Sequence, residues 1–136
     1  MLDVLARRHF MLSAIPFYLA ALLALAIIAI GCFYVISPER MTGSFGLKPP
    51  APDADTRAWL RLKGIRDIVS GSVVLTLMLT TDTRTVGIAL LVLAITPLGD
   101  MSNVLGSGGS KSTAFSVHGV TCGVMVVVGL FLIHVI

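Results

Sequence analysis

Asp67, Asp100 and His118 are the side chains of this sequence best suited to moving protons, and Lys63, Arg66 and Asn103 lie near them at helical spacing. A histidine titrates near neutrality, and a carboxylate taken out of water can have its pKa raised towards the same range. The three therefore have the types expected of general acids and bases, while Lys63 and Arg66 could stabilise a developing oxyanion and Asn103 could hold a substrate by hydrogen bonding. At 100° per residue, Lys63, Arg66, Asp67 and Ser70 share an arc of about 100°. Asp100 and Asn103 are one turn apart, and His118, Thr121 and Cys122 share a face by the same spacing.

The same residues allow a plainer reading. Two bases, Lys63 and Arg66, face two acids, Asp67 and Asp100, and could satisfy one another as ion pairs that fix helix packing. Arg40 and Arg61 fit charges that snorkel to an interface. A single helical histidine such as His118 is also a common packing residue. His9 and His134, with no such company, read as structural or interfacial.

Positioning these groups requires a membrane. Of 136 residues, 56% are apolar and 12% charged, against about a quarter charged in soluble domains; the mean hydropathy is +0.96. The length fits one domain of four crossings of about 20 residues each. The expected fold is an all-α bundle of four transmembrane helices over residues 14–36, 60–81, 85–105 and 114–136. The first contains the uncharged run Ile15 to Ile36 and stops at Ser37-Pro38, where proline cannot continue the ladder. It is too long for a signal-peptide core. The second has only 14 uncharged residues, Ile68 to Thr81, so it must start near Leu60 and draw Arg61, Lys63, Arg66 and Asp67 into its first turns. Trp59 stands where an interfacial aromatic is expected. The third is interrupted by Pro97, which bends it.

Consecutive helices alternate direction, so the end of the first, the start of the second, the end of the third and the start of the fourth share one side. That side collects Lys63, Arg66, Asp67, Asp100, Asn103 and His118. A charge facing lipid at the helix centre costs about 2.5–3.5 kcal/mol, so these faces are expected to turn inward and close a polar pocket near one interface.

Other motifs carry less. Gly106-Ser107-Gly108-Gly109-Ser110-Lys111 is not a phosphate-binding loop, because Ser110 stands where glycine is needed and no strand precedes it. It reads as a linker. Gly119 and Gly123 have the spacing that permits close helix approach. Cys32 and Cys122 read as packing residues. No metal, haem or flavin motif is present, so no cofactor is expected, and the scattered cations give nucleic acid binding no support. Counting Arg40, Lys48, Arg57, Arg61, Lys63 and Lys111 against Arg7, Arg8 and Arg84 gives six against three for a cytosolic polar-cluster side, with both termini facing away from the cytosol. Which membrane holds the protein has no signal in the sequence.

A family resemblance rests on Ser37-Pro38 with Phe45-Gly46-Leu47 beyond it, then Lys63-Gly64-Ile65-Arg66-Asp67, Pro97-Leu98-Gly99-Asp100 and His118-Gly119. In order and spacing these resemble a family of small four-helix membrane proteins of fungi and bacteria, classed as a domain of unknown function and grouped near the DoxX-like proteins. The resemblance implies the four-helix fold. Some fungal members look to be encoded among secondary-metabolite genes, which implies processing of a hydrophobic natural product.

Two functions are therefore expected to compete. One is cofactor-independent isomerisation, cyclisation or hydrolysis of a lipophilic small molecule that reaches the pocket through the bilayer. The other is a non-enzymatic scaffold or accessory protein for a membrane partner enzyme. Transport fits less well, since a single chain has no continuous polar path; a homo-oligomer could supply one.

Overall fold

Each helix begins or ends where the local chemistry dictates it. The computed structural model describes the backbone of residues 2–134 and the side chains of residues 14–133; the readings of Arg7, Arg8, His9 and His134 fall on side chains outside that range. α1 (Leu2–Ile36) stops at Ser37, and Pro38 opens the one-turn α2 (Pro38–Met41), which passes into a 3-10 turn over Thr42–Ser44. After the proline-rich connection, Asp53 accepts a hydrogen bond from the Thr56 N–H at 2.7 Å and starts α3 (Ala54–Thr80). Asp82 accepts from the Thr85 N–H at 2.8 Å and starts α4 (Thr83–Leu93). These backbone donors hold both carboxyls below the ordinary aspartate pKa, as expected of N-caps.

Pro97 has no N–H to offer the Leu93 carbonyl, and the helix breaks at Ala94 before resuming as α5 (Ile95–Gly106). The last helical stretch comprises α6 (Lys111–Thr113), a π-helical turn over Ala114–Gly119 and α7 (Val120–His134). The expected second helix thus starts six residues earlier than Leu60, at Ala54, and the expected fourth three residues earlier, at Lys111.

Among the described residues, three helical stretches, not the expected four, are long and apolar enough to cross a membrane: Ala14–Ile36, Thr83–Gly106 and Lys111–Ile133. α3 has the length, at 27 residues. Its composition sets it apart, because every 18-residue stretch within it contains Lys63, Arg66 and Asp67.

Packing divides the helices into two close pairs. α1 lies along α3, and α4 lies along α7; α1 also meets α7, α3 meets α4, and α5 rests on the π-helical turn. Glycines set both close approaches. A Cβ on Gly64 would stand 2.6 Å from the Gly31 carbonyl oxygen, and one on Gly87 would stand 2.7 Å from that of Gly129. Small residues at such crossings let backbones touch and gain dispersion along the whole contact. The spacing of Gly119 and Gly123 permits close approach, but Gly123 faces open space, and a Cβ on Gly119 would meet the Met101 sulfur at 3.2 Å.

The buried apolar core gathers Ala20, Ala24, Val74, Val86, Leu90, Val128 and Leu132, towards the end of the bundle away from Asp100 and His118. Outward faces are apolar as well, with Leu22, Ile36, Leu79, Ile95 and Phe131 all more than half exposed. An apolar surface around an apolar core is what a hydrocarbon surrounding demands.

Candidate functional site

At the polar end the two helix pairs separate and leave a cavity of about 430 Å3. α3 packs on α4 but has no comparable contact with α5, so the bundle parts on the side between α3 and α5. The break that Pro97 imposes lies at this parting, and Pro97 and Asp100 both line the cavity.

Lys63, Asp67, Asp100 and His118 converge on this one space. On α3, Lys63 and Asp67 are one turn apart, and the Lys63 ammonium donates to Asp67 Oδ2 at 2.6 Å. Asp67 is buried, with 7% exposure. Burying that charge is tolerable because it is paired. The Lys63 ammonium also stands 4.6 Å from the ring centre of Tyr34 on α1 and 5.5 Å from that of Phe45, both within the range of cation–π attraction. Tyr34 is itself buried, and its hydroxyl donates to the Met41 carbonyl at 3.4 Å.

His118 is placed by the π-helical turn, where i→i+5 bonding accommodates one extra residue and rotates the side chains that follow. Its side chain is 8% exposed. Nε2 lies 3.0 Å from the Phe45 carbonyl oxygen, and since a carbonyl only accepts, that nitrogen carries the proton. In neutral His118 the bare Nδ1 then faces Asp100 Oδ2, 3.9 Å away. The Phe45 ring tilts against the imidazole, with centroids 4.7 Å apart.

Phe45 reaches this position because the chain reverses at Gly46, whose φ of +93° lies in the region that favours glycine. The Gly46 carbonyl accepts from the Ser110 N–H at 2.8 Å. This ties the loop after α2 to the connection before α6 and closes the polar end.

Arg66 and Asn103 are exposed and line no part of the cavity. Ser70 and Thr121 line it, but each hydroxyl is bonded to its own helix, donating to the Arg66 and Val117 carbonyls. Cys122 does not line it. Tyr34, Ser44, Phe45 and Thr96 do, and sequence reasoning did not place them there. Phe45 had one signal, its place in the family pattern with Gly46. No group of three or more His, Cys, Asp or Glu side chains among the described residues is arranged to hold a metal ion.

The arrangement has the components for proton transfer: a buried histidine with one free nitrogen, a carboxylate beside it and an ammonium–carboxylate pair across the cavity. The other walls, among them Leu23, Ile27, Val74, Leu93 and Met125, are apolar.

The model of a family described as a domain of unknown function, DUF4267, matches residues 24–132. That stretch contains all four converging residues. No curated protein and no solved structure matches the chain.

Proposed function

This chain belongs to the DUF4267 family, and from that premise we propose that it is a multi-pass membrane protein performing acid–base chemistry on a lipophilic small molecule in the cavity. The observation that carries the reading is the convergence of Lys63, Asp67, Asp100 and His118 at one end of an apolar cavity of about 430 Å3, a volume in the range of small-molecule sites.

In this reading α3 is the fourth crossing. Its 27 residues span about 40 Å, and it lies along α1. Lys63 and Asp67 are turned to the cavity and paired, which lowers the cost of their charge within the bilayer. The opening between α3 and α5 is the route by which a lipophile enters from the membrane.

His118 is the base, taking a proton on Nδ1 while Nε2 remains bonded to Phe45. Asp100 stabilises the resulting imidazolium, and Lys63, held by Asp67, stabilises negative charge developing on a substrate oxygen. Isomerisation, cyclisation and hydrolysis all use such steps, and a hydrophobic natural product has the required solubility. Arg66 and Asn103 lie outside the cavity and have no role here. Kinship with DoxX-like proteins belongs to the same proposal, supported by the order and spacing of the segments around Asp67, Asp100 and His118.

The test compares lipid extracts of cells producing the wild type, Asp100→Asn and His118→Ala at matched membrane abundance. One lipophilic compound should accumulate in both variants and be depleted by the wild type. Identical extracts at equal abundance remove the catalytic reading. A fall in abundance without any change in extract chemistry assigns the cluster to holding the fold.

A further inference from the structure

We propose that the polar end of the cavity receives the ammonium group of a lipophilic amine, seated between the Asp100 carboxylate and Nδ1 of His118; this rests on the reading of the cavity as a ligand pocket.

Hydrogen-bond inventory leads to this class. Because Nε2–H is committed to the Phe45 carbonyl at 3.0 Å, neutral His118 turns an acceptor towards Asp100, which is also an acceptor. The two atoms stand 3.9 Å apart, beyond a hydrogen bond but suited to one shared donor atom. An atom about 2.8 Å from each subtends an angle of about 90° between them, within the tolerance of tetrahedral donors. That atom must carry at least two hydrogens. A hydroxyl carries one and an ether or ketone none, whereas water and a primary amide carry two and an ammonium three, so charge decides among these last.

Charge favours the ammonium further. Lys63 and Asp67 cancel at 2.6 Å. Among the described residues no Lys or Arg nitrogen lies within 4.0 Å of Asp100, whose only ion-pair neighbour is His118. With His118 neutral, the cavity therefore holds one surplus negative charge among apolar walls. A carboxylate or phosphate ligand would add to it, an alcohol would leave it, and an ammonium cancels it. A proton on His118 cancels it too, and the ammonium takes the place of that proton. The lining also suits a cation: Tyr34 and Phe45 already face the Lys63 ammonium, and Phe45 lies against His118. An alkyl chain extends from this end along Leu23, Ile27 and Val74.

The experiment uses the full chain in phosphatidylcholine nanodiscs and three probes with the same chain: dodecylamine, dodecanol and dodecanoate. Unfolding midpoints are measured against probe concentration for the wild type, Asp100→Asn and Asp100→Glu. Dodecylamine should raise the wild-type midpoint saturably, with an apparent affinity reduced about tenfold or more in Asp100→Asn and partly retained in Asp100→Glu. Dodecanol and dodecanoate should bind more weakly than the amine. If dodecanol matches dodecylamine in the wild type, the amine class is overturned while the lipophile pocket stands. If dodecylamine shifts Asp100→Asn as much as the wild type, the shift comes from amine partitioned into the bilayer and the amine site is overturned. If none of the three gives a saturable shift, the ligand-pocket reading falls with it. Should Asp100→Asn fail to fold, the comparison of the three probes on the wild type still decides.

Discussion

Nε2 of His118 lies 3.0 Å from the carbonyl oxygen of Phe45, so one histidine both faces the cavity and fastens the loop that closes it. His118→Ala removes the side-chain tie to the last helical stretch and leaves the loop held, among the described residues, by the Gly46–Ser110 backbone bond to the connection before α6. Amide hydrogen exchange over residues 44–47 should accelerate several-fold while exchange in the α1–α3 contact stays unchanged. Unchanged exchange over those loop amides would show that the Gly46–Ser110 bond and apolar contacts suffice.

The Lys63–Asp67 pair makes a prediction about non-additivity. Lys63→Met leaves Asp67 buried without its cation, and Asp67→Leu leaves Lys63 without its anion. Each single change should cost about 2 kcal/mol, reduced from a fully buried pair because the Lys63 side chain is 30% exposed. The double variant should be more stable than the sum of the singles requires, since no orphan charge remains. Reversible unfolding in mild detergent measures the cycle; additive losses would mean that the pair is solvated and structurally idle.

Much of the site was legible because alternation of helix direction is a topological necessity, and it alone brings Asp67, Asp100 and His118 to one side. The cost of charge in lipid then turns them inward. Arg66 and Asn103 were misplaced for a geometric reason: each lies about 60° around its helix from a cavity-facing neighbour, Lys63 and Asp100 respectively, enough to leave the lining. The π-helical turn that carries His118 has no periodic signature, and after it Thr121 lines the cavity while Cys122, about 100° further round the helix, does not. Tyr34 lines the cavity because α1 lies along α3, and Phe45 depends on the reversal at Gly46 and its bond to Ser110, contacts between distant parts of the chain. The start of α3 was set too late because the expected boundary followed hydropathy, whereas the helix begins at its Asp53 cap.

Glycines predict opposite signs at two sites. Gly64→Ala puts a methyl 2.6 Å from the Gly31 carbonyl oxygen and 2.8 Å from Tyr34 Cβ, forcing α1 and α3 apart at a cost of about 1–3 kcal/mol. Gly123→Ala meets nothing within 4 Å and should gain up to about 1 kcal/mol from helix propensity. Unfolding midpoints of the two variants should move in opposite directions. A loss at Gly123 would reveal a close neighbour on that face, as in a homo-oligomer.

Asp82 gives the pH prediction. Its carboxyl is held below the ordinary value chiefly by the Thr85 backbone N–H, with the Thr85 hydroxyl contributing. A group depressed in the folded state contributes stability fully present above its unfolded pKa, and that contribution disappears as pH falls through the folded pKa. Asp82→Ala should therefore lower the unfolding midpoint at neutral pH, and its deficit should shrink on acidification below the usual carboxylate range. Asp82→Asn keeps an oxygen acceptor for the Thr85 N–H without the titration, so it should sit between the two at neutral pH and show a weaker acid dependence than the wild type. A deficit for Asp82→Ala that stays constant from neutral to acid pH would mean that the cap acts through shape and hydrogen bonding alone, with no contribution from its charge at the start of α4.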